Sequence, residues 1–230
     1  MIVKLNFYSD EYLELPINYT YLVQSAIYRK FDSNISKFLH DEGFTMEKKK
    51  FKLFTFSRII SRFSILDDLI VFRNPISIYF ASIFDNFVIS LLENLIKTGY
   101  MNLNEKKLHF KGYEIVKPNF QKKTYKTLSP ITVYRTFRKK TIFYGPKDKD
   151  FKELIFENLK KKFLIVYSKD YEGKFDFKFK SFKKEVVKYK NGIIIGYSGK
   201  LSIDADESLM KILLHCGIGS KNSLGFGMVL

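Results

Sequence analysis

Histidine is the side chain best suited to moving protons near neutral pH, and this sequence has three: His40 in DSNISKFLHDEGF, His109 in KKLHFKG and His215 in LLHCGIG. Their settings differ. Ile35, Phe38 and Leu39 form the apolar stripe of a short helix capped by Asp32 or Ser33, so His40 falls one residue off the stripe. It can flank the core and still face solvent, open to general acid or base work, although a surface or capping role fits the same position. His109 alternates with Leu108 and Phe110 on an expected strand, where packing or simple exposure accounts for it. His215 ends a helix, where capping accounts for it and a secondary ligand contact is the alternative. Near His40 in sequence stands Tyr28, bordering the apolar face of the preceding helix, either a half-buried aromatic or a phenol that orients or donates. EKKKFKLF adds Lys48, Lys49, Lys50 and Lys52, which can stabilise an anion or form an ordinary solvated charge run. On a strand, Lys52 shares a face with Phe54 and Phe56, whereas 48–50 lie on a flexible approach.

The second concentration of chemistry is GIGSKNSLGFG near the C-terminus, with Gly217, Gly219, Gly225 and Gly227 around Ser220, Lys221, Asn222 and Ser223. Such loops bring backbone N–H groups close to phosphates, and they also make helix caps and tight strand entries. A dinucleotide fingerprint needs glycine at 222, where Asn stands, and a P-loop needs Lys followed by Ser or Thr after its last glycine. Both motifs also run from strand to loop to helix, whereas here a helix precedes the loop. A nucleotide cofactor site is disfavoured. DADE at 204–207 lacks the ligand series of an EF-hand, and Asp204 with Glu207 reads as a capping box.

The elements that must position these groups follow from periodicity. We expect a strand at 2–8, where Val3, Leu5 and Phe7 alternate with polar neighbours, a helix at 18–31 and a short helix at 34–42. Strands at 51–59, 69–73 and 76–80 lead to a helix at 82–98, then to strands at 107–117 and 122–127. The pattern starts again with strands at 131–137 and 140–144. A helix at 148–162 opened by Asp148, a hairpin over 174–201 turning at 190–192, a helix at 205–215 and the glycine loop complete it. Each half is α+β with antiparallel strands, the pattern of a ferredoxin-like unit. The domains are expected at 1–120 and 121–230, where Pro118, Pro130 and a basic run interrupt the apolar pattern.

With 40 Lys plus Arg against 24 Asp plus Glu, the net charge of +16 favours a polyanionic partner such as nucleic acid, although the abundance of Lys, Ile, Asn, Phe and Tyr also fits codon bias. One cysteine, Cys216, permits no internal disulfide or Cys-rich zinc site and points to a reducing cytoplasm. The N-terminus has no apolar signal core. The apolar run PISIYFASIFDNFVISLLENLI is long enough to span a bilayer. Its second half carries the stripe of an amphipathic helix, so no membrane association is expected.

GIGSKNSLGFGMV, together with LSPITVYR, GPKDKDFKELIFENLKKKF, GYSGKLSIDADESLMKILLHCGIGSK and, at the front, LPINYTYLVQSAIYRKF, FLHDEGF and FKLFTFSRI, resembles one family over nearly the whole chain. It is that of the CRISPR-associated repeat-cleaving endoribonucleases, the Cas-six family of the RAMP superfamily. The resemblance implies two tandem ferredoxin-like, RRM-related domains that bind a repeat in precursor CRISPR RNA and cut it once, with no metal or other cofactor. The substrate's 2′-hydroxyl would attack the adjacent phosphate, leaving a 2′,3′-cyclic phosphate and a 5′-hydroxyl. It places the catalytic histidine at His40, as general base or acid, and matches Tyr28 to a tyrosine used beside it; for the lysine partner, spacing cannot choose among Lys48, Lys49, Lys50 and Lys52, of which Lys52 is taken as the candidate. RNA contacts are expected from Gly217, Gly219, Ser220, Lys221, Asn222, Gly225 and Gly227, and from Arg58, Arg62, Arg135, Arg138 and the basic face of 174–184. CRISPR repeat RNA is the expected partner, with a CRISPR effector complex and a homodimer as further candidates. The alternatives are a binding-only RAMP protein and a general RRM-like RNA binder.

Overall fold

The computed structural model describes residues 1–230 apart from 48, 121–123, 139, 190 and 191. Lys48 and the hairpin turn at 190–191 therefore lie outside the described residues. The first half runs β1 (Ile2–Tyr8), β2 (Leu13–Pro16), α1 (Thr20–Lys30), α2 (Ser33–Lys37), a π-helical turn (Phe38–Glu42), β3 (Phe44–Met46), β4 (Lys49–Phe51), β5 (Phe54–Phe56), β6 (Ile60–Leu66), β7 (Leu69–Ser82), α3 (Asp85–Thr98), β8 (Tyr100–Leu103) and β9 (Lys106–Ile115). Its main sheet has the order β2-β7-β1-β9-β8, with β5 and β6 also paired to β7 and every pair antiparallel. Removing the added strands leaves β9-β1-β7-β5/β6 around two helices, the order of a ferredoxin-like unit. Val3, Leu5 and Phe7 of β1 face the helices. There they meet Val23, Ala26 and Ile27 of α1 and Val88, Leu91 and Leu95 of α3 in one buried core.

The second half runs β10 (Tyr125–Lys126), β11 (Val133–Phe137), β12 (Lys140–Tyr144), α4 (Asp150–Tyr167), β13 (Phe175–Tyr189), β14 (Gly192–Ala205), α5 (Glu207–Cys216) and a 3-10 turn (Asn222–Leu224). β10, β14 and β13 form a sheet in that order. The segment before β11 lies between β14 and the last residues, through the bridges Thr127 to Val229 and Ile131 to Tyr197. Phe151, Ile155, Leu159 and Phe163 of α4 pack with Leu209, Ile212 and Leu213 of α5 over Phe177, Leu201 and Ile203 of the sheet. The tandem ferredoxin-like architecture expected from the sequence is present.

Several details differ from expectation. The strand expected at 51–59 is broken, because β4 pairs with β3 whereas β5 pairs with β7, and the chain changes sheets between them. Leu53 turns at φ 51° and buries its side chain with Phe51 and Cys216. Lys52 thus sits in the turn and shares no strand face with Phe54 and Phe56. The two strands expected at 69–73 and 76–80 are one, because Pro75 falls where β7 exchanges β2 for β1 as its neighbour and no ladder bond is required of it. β2, β3, β6 and β8 were not foreseen. The helix expected at 148–162 starts at Asp150 and continues to Tyr167, and the Asp148 carboxylate accepts instead from the Gly145 N–H at 2.6 Å. Asp204 stays in β14 opposite Asp176, so the cap of α5 is Asp206, accepting from the Leu209 N–H at 3.0 Å.

Candidate active site between the domains

His40 stands on the π-helical turn that follows α2. Asp32 caps α2 by accepting from the Ile35 N–H at 2.9 Å, and the Asp32 N–H donates to Ser90 Oγ at 2.9 Å, which fixes the short helix to α3. Leu39 is buried, and Ile35 and Phe38 pack against the core. The turn closes with the Gly43 N–H donating to the Phe38 carbonyl at 2.7 Å. Gly43 has φ 64°, and a β-carbon there would lie 2.8 Å from the Phe51 carbonyl oxygen, so glycine is required. The His40 side chain is left 80% exposed, with Nδ1 2.6 Å from Asp41 Oδ1. That hydrogen bond holds the Asp41 carboxyl below its ordinary range. With the Nδ1 proton directed at a carboxylate, the Nε2 lone pair is the one available to take a proton.

Lys52 and Tyr28 reach the same cavity, of about 960 Å³. Lys52 Nζ is 3.4 Å from the His40 carbonyl oxygen, and burial followed by the charge of Lys50 pulls its pKa down. Lys50 Nζ donates to the Asp41 carbonyl oxygen at 2.5 Å. Tyr28 packs its ring edge-to-face on Phe31 and Phe54. Burial, and then the neighbouring Tyr189, push its pKa up to about 12, so it is a neutral phenol at physiological pH. Three separate segments therefore bring a base, a cation and a proton-bearing hydroxyl to one cavity.

The glycine loop borders the same groove from the second half. A neighbouring cavity of about 640 Å³ is lined by Lys49, Lys50, Lys52, Tyr134, Arg135, Ser220, Lys221, Asn222 and Ser223. Lys52 and Ser223 belong to both cavities, which are thus lobes of one depression. Gly217, Gly219, Gly225 and Gly227 are buried, and the expected free N–H groups are mostly occupied. Gly217 donates to the Leu213 carbonyl, Ile218 to Gly227, Ser220 to Thr132, Gly225 to Asn222 and Gly227 to Pro130. Gly225, at φ 81°, abuts the first half, where a β-carbon would lie 2.5 Å from Thr20 Cγ2. Thr55 Oγ1 also donates to the Phe226 carbonyl at 3.1 Å. The loop joins the two halves and presents Ser220, Lys221, Asn222, Ser223 and Leu224 to the groove. Lys221, at φ 60°, carries its ammonium 4.7 Å above the Tyr134 ring.

A family model described as CRISPR associated protein Cas6, C-terminal, matches residues 114–230, and one described as Cas6, N-terminal, matches residues 14–114. The chain belongs to the Cas6 family. It is similar to "CRISPR-associated endoribonuclease Cas6 1" of Methanocaldococcus jannaschii, at 28% identity over 240 residues covering 100% of this chain and 92% of the relative. Among solved structures, one of a CRISPR associated protein Cas6 superposes with TM-score 0.85 at 27% identity, covering 100% of this chain and 98% of its own. Another, of a RAMP protein described as binding different RNA substrates, gives 0.82 at 25% identity over 100% of this chain and 98% of its own. Among the described residues, no helix is long and apolar enough to cross a membrane.

Around this Cas6 groove the remaining candidates divide. Arg135 lines the loop lobe and pairs with Asp150 at 3.3 Å. Arg58 lines neither lobe, lying 3.8 Å from Glu185 with its guanidinium over the Phe226 ring at 5.8 Å. Arg138 lies on the exposed β11–β12 turn above Phe137, and Arg62 is exposed on β6. On β13, Phe175 and Phe177 are buried while Asp176, Lys178 and Lys180 stay exposed, the core face and charged face expected of that strand. His109 Nε2 is 2.9 Å from Asp10 on the surface. His215 is buried with Nδ1 2.8 Å from the Lys211 carbonyl oxygen, and burial lowers its pKa to about 4, an arrangement that fits the helix-end role.

Two residues escaped sequence reasoning. Lys162 is only 2% exposed, yet its ammonium donates to the carbonyls of Gly217 at 2.6 Å and Gly219 at 3.1 Å and to Asn222 Oδ1 at 2.7 Å. Burial pulls its pKa down to about 7, while three acceptors match the three N–H bonds of the charged form. Asn222 completes the knot by donating to Ile218 and Phe226, both at 3.0 Å. A lysine on the stripe of Ile155, Leu159 and Phe163 was the available signal. The other missed residue is Tyr189, which lines the His40 lobe from the second half.

Proposed function

We propose that this chain is an endoribonuclease that cuts within the repeats of precursor CRISPR RNA and needs no metal ion to do so. The observation that carries the reading is the convergence of His40, Tyr28 and Lys52 on one cavity, with the basic loop lobe beside it. The kinship with a protein named as a Cas6 endoribonuclease supports it. In this reading the RNA backbone lies along the groove, with Lys221, Ser220, Ser223 and Arg135 at its phosphates, and Arg58 and Arg138 contribute from outside the two lobes. His40 Nε2 removes the proton of the 2′-hydroxyl that precedes the scissile phosphate. The freed oxygen attacks phosphorus, the Lys52 ammonium offsets the charge gathering on the phosphoryl oxygens, and Tyr28 donates a hydrogen bond there. The bond from phosphorus to the 5′-oxygen breaks, and that oxygen takes a proton from protonated His40 or from water. The products are a 2′,3′-cyclic phosphate and a 5′-hydroxyl. We place the domain boundary at 120/121 and the site of action in the cytoplasm, with repeat RNA as partner and an effector complex or a second copy as further partners.

Incubation of end-labelled repeat RNA with the chain in excess EDTA tests the reading. A single cut bearing a cyclic phosphate is expected. Intact RNA, with binding retained, would overturn cleavage and leave a binding-only protein, whereas a cut that requires added magnesium would overturn the metal-free mechanism.

A further inference from the structure

One wall of the His40 cavity takes no part in the proton transfers described above. Along α1, Tyr21, Gln24, Ser25 and Tyr28 recur at steps of three, one and three, the spacing of a single helix face, and all four line the cavity. Tyr28 closes one end of that face against the core, whereas Tyr21 at the other end is 39% exposed. Tyr189, the last residue of β13, arrives across the cavity from the second half. Its hydroxyl donates to Gln24 Oε1, and the adjacent Lys188 N–H donates to Asn18 Oδ1 at 2.8 Å. Two hydrogen bonds thus fix the end of the strand to the start of α1, and the Tyr189 ring is held in place before any ligand arrives. Arg29, Lys37 and Lys52 supply positive charge around the same cavity.

A cleft combining tyrosine rings with cations matches a ligand with flat π-faces attached to negative charge. A base in a duplex is stacked on its neighbours and shows only its edges, so the ligand that fits is an unpaired base with its own phosphate. A histidine and lysine placed for phosphate chemistry line the same cavity, which sets that base next to the bond being cut. We propose that Tyr21 and Tyr189 form a stacking subsite for one unpaired nucleobase adjoining the scissile phosphate. The proposal rests on the RNA-cleavage reading and adds to it a requirement on the substrate, which must have a base free to leave its stack at the cut.

The test uses the full chain and repeat RNAs carrying 2-aminopurine at single positions, including both nucleotides flanking the mapped cut, with a 2′-deoxy sugar at the attacking position. Binding is expected to quench the fluorophore at one flanking position. Tyr189→Ala should abolish that quench and weaken binding on the order of tenfold, and Tyr189→Phe should preserve both, because the ring does the stacking. Tyr21→Ala, at an exposed position, should reduce the quench without disturbing the fold. No quench at either flank with binding saturated, or a quench indifferent to both alanine variants, would overturn the subsite. So would Tyr189→Phe failing as fully as Tyr189→Ala, which would assign the hydroxyl a latching role only. A chain that cuts unmodified RNA without the quench keeps the cleavage reading and loses the subsite. One that quenches at a single position but never cuts loses the cleavage reading alone.

Discussion

At the His40 end of the groove the imidazole ring stands 80% exposed and is tied to Asp41 by a side-chain hydrogen bond. At the glycine-loop end nearly every polar atom of the loop's interior already has a partner, centred on a lysine only 2% exposed. The first arrangement leaves a base free to meet a substrate. The second uses its glycines, Asn222 and Lys162 to hold two halves of the chain in register, and the side chains it offers the groove include Ser220, Lys221 and Ser223. A loop dense in glycine and flanked by lysine resembles a phosphate cradle in sequence, but here the density serves close backbone packing. In the proposed reading, function and rigidity are assigned to opposite ends of one depression.

The sharpest way to break that contrast is to remove the Lys162 ammonium. Lys162→Met keeps the aliphatic stem but leaves three buried acceptors without a donor, each worth roughly 1–3 kcal/mol, partly offset by relief of a buried charge. We expect a net loss of about 3 kcal/mol, seen as a fall of roughly 6–12 °C in Tm, while the folded fraction cuts RNA at close to the wild-type rate. A stable variant with impaired cutting would place Lys162 in the chemistry instead.

A smaller effect concerns pH. His215 is kept neutral by burial, with its folded pKa lowered to about 4 from an ordinary 6.5; its hydrogen bond to the Lys211 carbonyl and the charge of Asp85 oppose the shift, while the N-terminal ammonium and the Lys211 charge add to it. Its contribution to stability is therefore complete above pH 6.5 and is lost progressively as the pH falls toward 4, because the unfolded chain binds the proton first. Chemical denaturation from pH 7 to 4 should show a slope that His215→Leu flattens. An unchanged slope would mean that the ring gains water or a counter-charge on protonation. The smallest change is expected from Tyr28→Phe. Its phenol stays neutral until about pH 12, so it contributes a hydrogen bond and no charge. The cleavage rate should fall by about tenfold or less, with the pH profile below pH 10 unmoved. A displaced profile would make Tyr28 a titrating acid or base.

How much of this was legible in the sequence depended on how far apart the causes lie. The His40 turn was readable because its cap, its apolar stripe and the histidine fall within a dozen residues, and helical spacing governs all of them. The tandem α+β plan was readable for the same reason in the helices and in β1, β9 and the β13–β14 hairpin, whereas β2, β3, β6 and β8 were not. The break at Lys52 was not, because it arises where β4 and β5 join different sheets, a choice made by β3 and β7. Spacing excluded the familiar nucleotide loops, but it could not show that Lys162, 55 residues upstream of Gly217, fills the glycine loop's interior. Tyr189 reaches α1 only through the docking of a long hairpin, with its hydrogen-bond partner 165 residues away.

The division of labour between the two ends is tested most directly by measuring, on one repeat RNA, the single-turnover cleavage rate and the dissociation constant for His40→Ala and Lys221→Ala side by side. The account predicts that His40→Ala lowers the rate about 10²- to 10⁴-fold with affinity nearly unchanged. Lys221→Ala should weaken binding, reduce its salt dependence by about one phosphate contact, and leave the saturated rate near wild type. A His40→Ala variant that still cuts at full rate, or a Lys221→Ala variant that binds normally but fails to cut, would contradict it.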